Sequence, residues 1–265
     1  MTSPRTPTDS PPSARRQRPE RAVPVLGTLV AYTLRACLPG RRRLGLLLPV
    51  LGALLFGLLA HVVVADSDQE AFAVVASAGL FSIVLPIGCL VIGDAVLGAE
   101  VRAGTLLFTW LSPVARWAIV LARWAGGTLV ASLSMGGACA LAAVLAGVPD
   151  VAPTMLLAAS AGCAAYVAVF VMIGALSRRA VVWSLATVVL IERLLGAALD
   201  GIAQLSPGWL ARAAYAGLGP GAEELVRTGV PTGWAAIARL AVVSLIALAV
   251  ASWRLSQLRL TARSD

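Results

Sequence analysis

Residues 151–177 read VAPTMLLAASAGCAAYVAVFVMIGALS, without a single charged side chain. Because a helix needs about 20 apolar residues to cross the hydrocarbon core of a bilayer, this stretch is long enough to span one. Five further apolar runs of similar length occur, most of them uncharged: 44–65, 71–93, 124–148, 180–199 and 234–253. Six such runs leave too little polar chain to enclose a water-soluble core. The sequence therefore predicts an all-α, polytopic protein with six transmembrane helices.

The basic residues predict how these helices are oriented. All 21 of them are arginines, and most lie in the N-terminal tail, the second and fourth loops and the C-terminal tail. The charged residues of the first and third loops are all acidic, such as Asp68 and Asp150. Because arginines near helix ends are retained on the cytoplasmic side during insertion, both termini are expected to be cytoplasmic. The expected location is the cell membrane, with multiple passes.

The ends of the chain differ from its middle. Residues 1–21 are rich in Pro, Ser and Arg and predict a disordered cytoplasmic tail, while 261–265 form a short C-terminal cytoplasmic tail. Residues 22–260 form the predicted six-helix transmembrane domain. At its start, residues 23–38 have one apolar face and precede Pro39-Gly40 and three arginines. This pattern favours a helix lying in the cytoplasmic interface, although a frayed extension of the first span is the alternative.

The second cytoplasmic loop carries the most informative local pattern. Its residues of interest are Glu100, Arg102, Gly104, Thr105, Leu106, Pro113 and Arg116. Gly104 and Thr105 can break the chain and cap a short helix, whose apolar side begins at Leu106. Pro113 ends that helix, and Arg116 can meet lipid headgroups or the carboxylates of a partner. An ordinary loop whose apolar residues lie on the bilayer is the alternative.

The same loop resembles a known family. A glutamate followed by Gly-Thr-Leu, then Ser-Pro-x-x-Arg and a basic residue (Arg123) before the third span, is similar to the permeases of type-2 ABC exporters. The resemblance covers about residues 22–260. It implies that the loop forms a coupling helix that docks on a separate cytoplasmic ATP-binding subunit. It also implies a second permease subunit, in a homodimer or heterodimer, and a re-entrant outer loop before the last helix, at roughly 200–233.

Two ionisable residues interrupt the fifth apolar run. Glu192 and Arg193 are costly in hydrocarbon and need compensation. Neighbouring residues point about 100° apart on a helix, so these two cannot both face one partner. They either line a transport pathway or subunit interface, or belong to a wet outer segment because the fifth span ends early.

Other classes of function find little support in the sequence. A phosphate-binding loop needs a lysine, which the chain lacks, so no ATPase site of its own is expected. The chain has one histidine, and its four cysteines lie in or beside apolar helices without the spacing of metal ligands, so we expect no catalytic site, metal or cofactor. The net charge of +8 follows the membrane-topology rule, so we expect membrane lipid and not nucleic acid as a partner. A non-transporting membrane scaffold or a membrane-embedded lipid enzyme is the alternative function.

Overall fold

The computed structural model describes residues 22–37, 40–63, 69–98, 115–177, 179–219, 226 and 229–257. Over these ranges the chain forms helices joined by short connections, and contains no strand. The predicted all-α class is therefore confirmed for the described part of the chain. The predicted tails, 1–21 and 261–265, lie outside it.

The chain forms nine helical elements within the described ranges. In order they are α1 (Ala22–Cys37), α2 (Gly40–Val63), α3 (Gln69–Val96), α4 (Arg116–Leu145), α5 (Pro149–Leu176), α6 (180–198), α7 (Asp200–Ala203), α8 (Pro207–Leu218) and α9 (Gly233–Gln257). Some contain π-helical turns, in which each hydrogen bond spans five residues and not four. Such turns are frequent at functional sites. Such turns occur at Leu80–Val84 in α3, Ser132–Gly136 in α4 and Thr187–Leu195 in α6.

Four of these helices, α3, α4, α5 and α9, are long and apolar enough to cross a membrane. They correspond to the apolar runs at 71–93, 124–148, 151–177 and 234–253, so four of the six predicted spans coincide with candidate membrane-spanning helices. Within α2 the apolar stretch is shorter, Leu47–Val62. The first and fifth spans stay predictions. The described structure is thus consistent with a multi-pass membrane protein.

Helix α5 occupies the centre of the molecule. It packs against α3, α4, α8 and α9, and most of its small residues are buried. A methyl group placed on Gly162 would lie 2.9 Å from the Cβ of Ala211 in α8, so these two helices approach each other very closely. Close packing of small residues is the main attraction between helices in lipid, where apolar burial contributes little.

Helix α1 packs against α4. A methyl group on Gly126 would lie 2.8 Å from the Cβ of Thr33, which is itself fully buried. The guanidinium of Arg123 lies 4.9 Å from the ring centroid of Tyr32, also in α1. Because α4 begins at Arg116, Arg123 lies two turns inside the helix and is only 2% exposed. The sequence had instead suggested that Arg123 stands at the entrance of this span.

The four cysteines pack in the apolar core of the protein. Cys37, Cys89, Cys139 and Cys163 are all buried and none forms a disulfide. They occupy the same apolar core as the small residues of α5.

Candidate functional site

Glu192 is the centre of a buried polar cluster between α5, α6 and α8. It lies in the π-helical part of α6, and only 6% of the residue is exposed. Its carboxylate accepts hydrogen bonds from the Tyr166 hydroxyl (2.5 Å), the Ser206 hydroxyl (2.5 Å) and the backbone N–H of Gly208 (2.7 Å). Three donors from two other parts of the chain therefore compensate this carboxylate for the loss of water.

The sequence Ser206-Pro207-Gly208 explains why α8 begins beside Glu192. Ser206 is the N-cap of α8, and its hydroxyl oxygen accepts a 3.4 Å hydrogen bond from the N–H of Trp209. Pro207 occupies the first turn, where the missing N–H is no loss. A methyl group on Gly208 would lie only 2.5 Å from the Tyr166 hydroxyl and 3.0 Å from a Glu192 carboxylate oxygen. The absence of a side chain at 208 therefore lets the carboxylate reach the helix N-terminus, where the helix dipole favours negative charge.

Arg193, the next residue of α6, contacts α3 and not the donors from α5 and α8 that bind Glu192. Its side chain is exposed, and its Nη2 donates a 2.6 Å hydrogen bond to the carbonyl oxygen of Ser82 in α3. Arg212 of α8 donates a hydrogen bond to the hydroxyl of the same serine. The guanidinium of Arg212 also lies 4.6 Å from the ring centroid of Trp209, in cation–π contact. Two positive side chains from different helices thus converge on one neutral residue.

Two adjoining cavities open on this cluster. The larger, about 240 Å³, has an almost entirely apolar lining and is bounded by Val169, Phe170, Val188, Ile202, Leu205 and Pro207, among others. The smaller, about 80 Å³, is bounded by Ser82, Arg193, Trp209 and Arg212, among others. Tyr166, Glu192 and Ser206 line both. The cluster therefore lies where a small polar space and a larger apolar one adjoin.

A further polar contact joins α9 to the segment before α8. Arg239, an arginine within the last apolar run, donates a 2.9 Å hydrogen bond from its Nη1 to the side-chain oxygen of Gln204. This contact gives the charge a partner inside the protein. Arg239 lines neither cavity.

Most of the predicted coupling residues lie outside the described part of the chain. These are Glu100, Arg102, Gly104, Thr105, Leu106 and Pro113. Arg116 is described: it is the first residue of α4, it is exposed, and its Nη1 donates a 2.7 Å hydrogen bond to the carbonyl oxygen of Ser256 near the end of α9. The helix that follows the predicted coupling loop is therefore connected to the last helix. The coupling role of the other loop residues stays a prediction.

Sequence reasoning selected Glu192 and Arg193 but missed their partners. Tyr166 lies within an uncharged apolar run, and Ser82 is one of several serines in such runs, so neither carried a local signal. Arg212 lies within residues 200–233, the predicted re-entrant loop, but nothing in the sequence indicated its contact with Ser82. The N-cap Ser206 followed by Pro207 was the one available signal, because this pair marks a helix start.

Among the residues that the structure describes, no three His, Cys, Asp or Glu side chains are arranged to hold a metal ion. The chain matches no protein-family model and no curated protein sequence. The site must therefore be interpreted from its own geometry and from the pattern of the sequence.

Proposed function

We propose that this chain is the membrane-spanning permease subunit of an ABC exporter of type 2. It moves a substrate across the cell membrane with energy from ATP that a separate cytoplasmic subunit hydrolyses. The observation that carries this proposal is the connection of α4 to its neighbours. Arg116, at the start of α4, is bonded to Ser256 of α9, and α1 packs along the same helix. Such a connection can pass a displacement of the preceding loop to helices on both sides.

The arginine distribution and the four long apolar helices support a membrane location with both termini in the cytoplasm. In this proposal α2 and α6 complete a set of six spans, and α1 lies in the cytoplasmic interface. The exposed leucines of α2, such as Leu48, Leu51 and Leu55, suit a surface that faces lipid.

Helices α7 and α8 are the proposed re-entrant segment before the last span. The N-terminus of α8 is supplied with hydrogen-bond acceptors by Ser206 and Glu192. Irregular backbone is tolerated at membrane depth only where protein or water satisfies its polar groups, and these acceptors provide that compensation. The packing of α8 against α5 and α9 supports a position within the helical bundle.

The proposed partners are the ATP-binding subunit, a second permease subunit and lipid. Residues 100–116 form the proposed docking loop. Glu192 and Arg193 belong to the proposed pathway or subunit interface. In favour of this role, Glu192 lines both cavities while Arg193 faces the smaller one.

The decisive experiment is purification of the tagged chain from its native membranes, followed by identification of the proteins that accompany it. The proposal requires a nucleotide-binding ATPase in stoichiometric amount, with ATPase activity that depends on the permease. As a matched comparison, the Glu100→Lys chain should purify without the ATPase, whereas the Glu70→Lys chain, changed in the first turn of α3 at the end predicted to be outside, should retain it. A chain that purifies without any ATPase, and instead processes lipid alone, would establish the alternative of a lipid enzyme.

A further inference from the structure

The two guanidinium groups at Ser82 have no carboxylate partner in the described part of the chain. Arg193 bonds to the carbonyl oxygen of Ser82 and Arg212 to its hydroxyl, and neither forms an ion pair there. Two like charges that share one neutral residue repel each other, and the partial burial of Arg212 strengthens that repulsion. In addition, the Nε of Arg212 is buried and has no hydrogen-bond partner. An anion bound between the two guanidinium groups would offset this repulsion.

Glu192 also lines the small cavity, but it forms no ion pair with either arginine. Its two carboxylate oxygens are engaged by Tyr166, Ser206 and Gly208, on the side of the cluster where α8 begins. With two guanidinium groups and one carboxylate at the cluster, one positive charge is left over among the described residues. A single oxyanion would neutralise it, and guanidinium groups are well suited to bind carboxylate or phosphate through paired hydrogen bonds.

The cavities match the two parts of an amphiphile. The small cavity of about 80 Å³ lies against Ser82, Arg193 and Arg212. A water needs roughly 10–15 Å³ of such space, so a carboxylate or phosphate group fits. The adjoining apolar cavity of about 240 Å³ exceeds the roughly 150 Å³ that accommodates a benzene molecule in a protein core. It can therefore take a segment of hydrocarbon chain.

We propose that these two cavities form one binding site for an anionic amphiphile. The oxyanion lies between Arg193 and Arg212, and the adjoining hydrocarbon lies in the apolar cavity against Val188 and Phe170. The shared chemistry is an oxyanion attached to an alkyl chain, supplied either by a membrane phospholipid or by a free fatty acid. Arg193 also belongs to the proposed pathway, but this site does not depend on the exporter proposal, because it is argued from the arginine contacts and the two cavities alone.

The test is equilibrium binding to the purified full-length chain in a neutral maltoside detergent. Labelled dodecanoate is compared with dodecyltrimethylammonium, which has the same chain and the opposite charge. We expect saturable binding of dodecanoate alone. Arg193→Gln and Arg212→Gln should each weaken it at least about tenfold, which is the usual effect of losing a charge-assisted hydrogen bond. Arg239→Gln, which removes a nearby arginine outside both cavities, should leave binding unchanged.

The apolar cavity is tested separately. In the wild-type chain, affinity should rise from hexanoate to dodecanoate, because the longer chain buries more apolar surface. Val188→Phe fills the cavity and should remove that increase while short-chain binding persists.

If an arginine variant fails to fold, dodecanoate should still raise the thermal midpoint of the wild-type chain, and dodecyltrimethylammonium should not.

The source of the amphiphile follows from competition in lipid nanodiscs. Displacement of dodecanoate by phosphatidylglycerol, but not by phosphatidylcholine, assigns the site to an anionic phospholipid. Undisturbed dodecanoate binding in both lipids assigns it to a free carboxylate. Equal binding of the anionic and cationic probes would overturn the proposal, as would full affinity in both arginine variants. Loss of the ATPase partner in the preceding experiment would leave this result unaffected.

Discussion

The backbone N–H of Gly208 donates a 2.7 Å hydrogen bond to the carboxylate of Glu192, and this bond ties α6 to the first turn of α8. The negative charge thereby lies at the positive end of the α8 dipole. Two hydroxyl donors complete its surroundings. The presence of Glu192 in an apolar run is therefore explained by the contacts with α5 and α8 that it stabilises. A role in a transport pathway would be additional to this structural role.

Replacing Glu192 by alanine should lower the stability of the folded chain. The change leaves the Tyr166 hydroxyl, the Ser206 hydroxyl and the Gly208 N–H without their shared acceptor in a buried environment. Each unsatisfied group costs about 1–3 kcal/mol, so the thermal midpoint in detergent should fall markedly. The measurement is the midpoint of loss of monodisperse protein after heating.

Two controls separate this structural role from a general effect of charge removal. Glu192→Gln keeps an oxygen acceptor and an N–H donor at the same place, so it should lose much less stability than the alanine variant. Asp150→Ala removes an exposed carboxylate and should change little. Equal midpoints for Glu192→Ala and the wild-type chain would show that the cluster contributes nothing to stability.

Gly208→Ala should also destabilise the chain, for a steric reason. The added methyl would lie 2.5 Å from the Tyr166 hydroxyl, so α8 would have to move away from α5. Overpacking of this kind costs about 1–3 kcal/mol. The matched control is Gly201→Ala in α7, where a methyl meets no atom within 4 Å. The control should be neutral or slightly stabilising, since alanine is the better helix former. A Gly208→Ala variant as stable as the Gly201→Ala variant would contradict the close contact.

The helices could largely be predicted because their signal is local. Uncharged runs such as 151–177 are long enough to identify a helix without knowledge of its neighbours. Their ends were less predictable. The third span was placed at 124 because Arg123 is charged, yet α4 extends back to Arg116. An arginine can continue a helix when a neighbouring element covers it, and α1 covers Arg123 through Tyr32. That contact joins residues 91 positions apart, so no local pattern records it.

The contacts of the candidate site are likewise between residues far apart in the sequence, so local patterns do not predict them. The two charges at 192 and 193 were conspicuous in the sequence because their surroundings are apolar. Their partners come from α3, α5 and α8, and only the folded chain brings them together. Whether Glu192 was buried or wet could not be decided from sequence. The packing of α8 against α5 is what buries it.

Thiol labelling should test the orientation of the spans. On a chain whose native cysteines are replaced by alanine, Asp150→Cys should react with an impermeant reagent in intact cells. Arg179→Cys should react only after the cells are opened, because arginine-bearing loops are expected inside. Both positions are exposed, so burial cannot account for a difference between them. Reaction of Arg179→Cys in intact cells would refute the proposed topology and, with it, the exporter assignment.

The last prediction concerns the transmission of movement from the proposed docking loop to the transmembrane helices. Glu100→Lys reverses a charge in the proposed contact with the ATP-binding subunit, and Gly104→Trp places a bulky side chain at the proposed helix start. Each should reduce permease-dependent ATPase activity at least about tenfold, the change expected when roughly 1.4 kcal/mol of coupling is lost. The measurement is the ATPase rate of the reconstituted complex, with membrane insertion checked by the amount of monodisperse permease.

The Arg116→Gln variant distinguishes docking of the ATP-binding subunit from transmission of its movement to the permease. It removes the 2.7 Å hydrogen bond to the carbonyl oxygen of Ser256 but leaves residues 100–113 intact. If α4 and α9 move together, this variant should still retain the ATPase subunit on the affinity column while its stimulation of ATP hydrolysis falls. Glu70→Lys, a charge reversal of the same kind in the first turn of α3 at the end predicted to be outside, should affect neither property. Unchanged retention and unchanged ATPase rates in both Glu100→Lys and Gly104→Trp would exclude the loop from coupling, whatever the behaviour of Arg116→Gln.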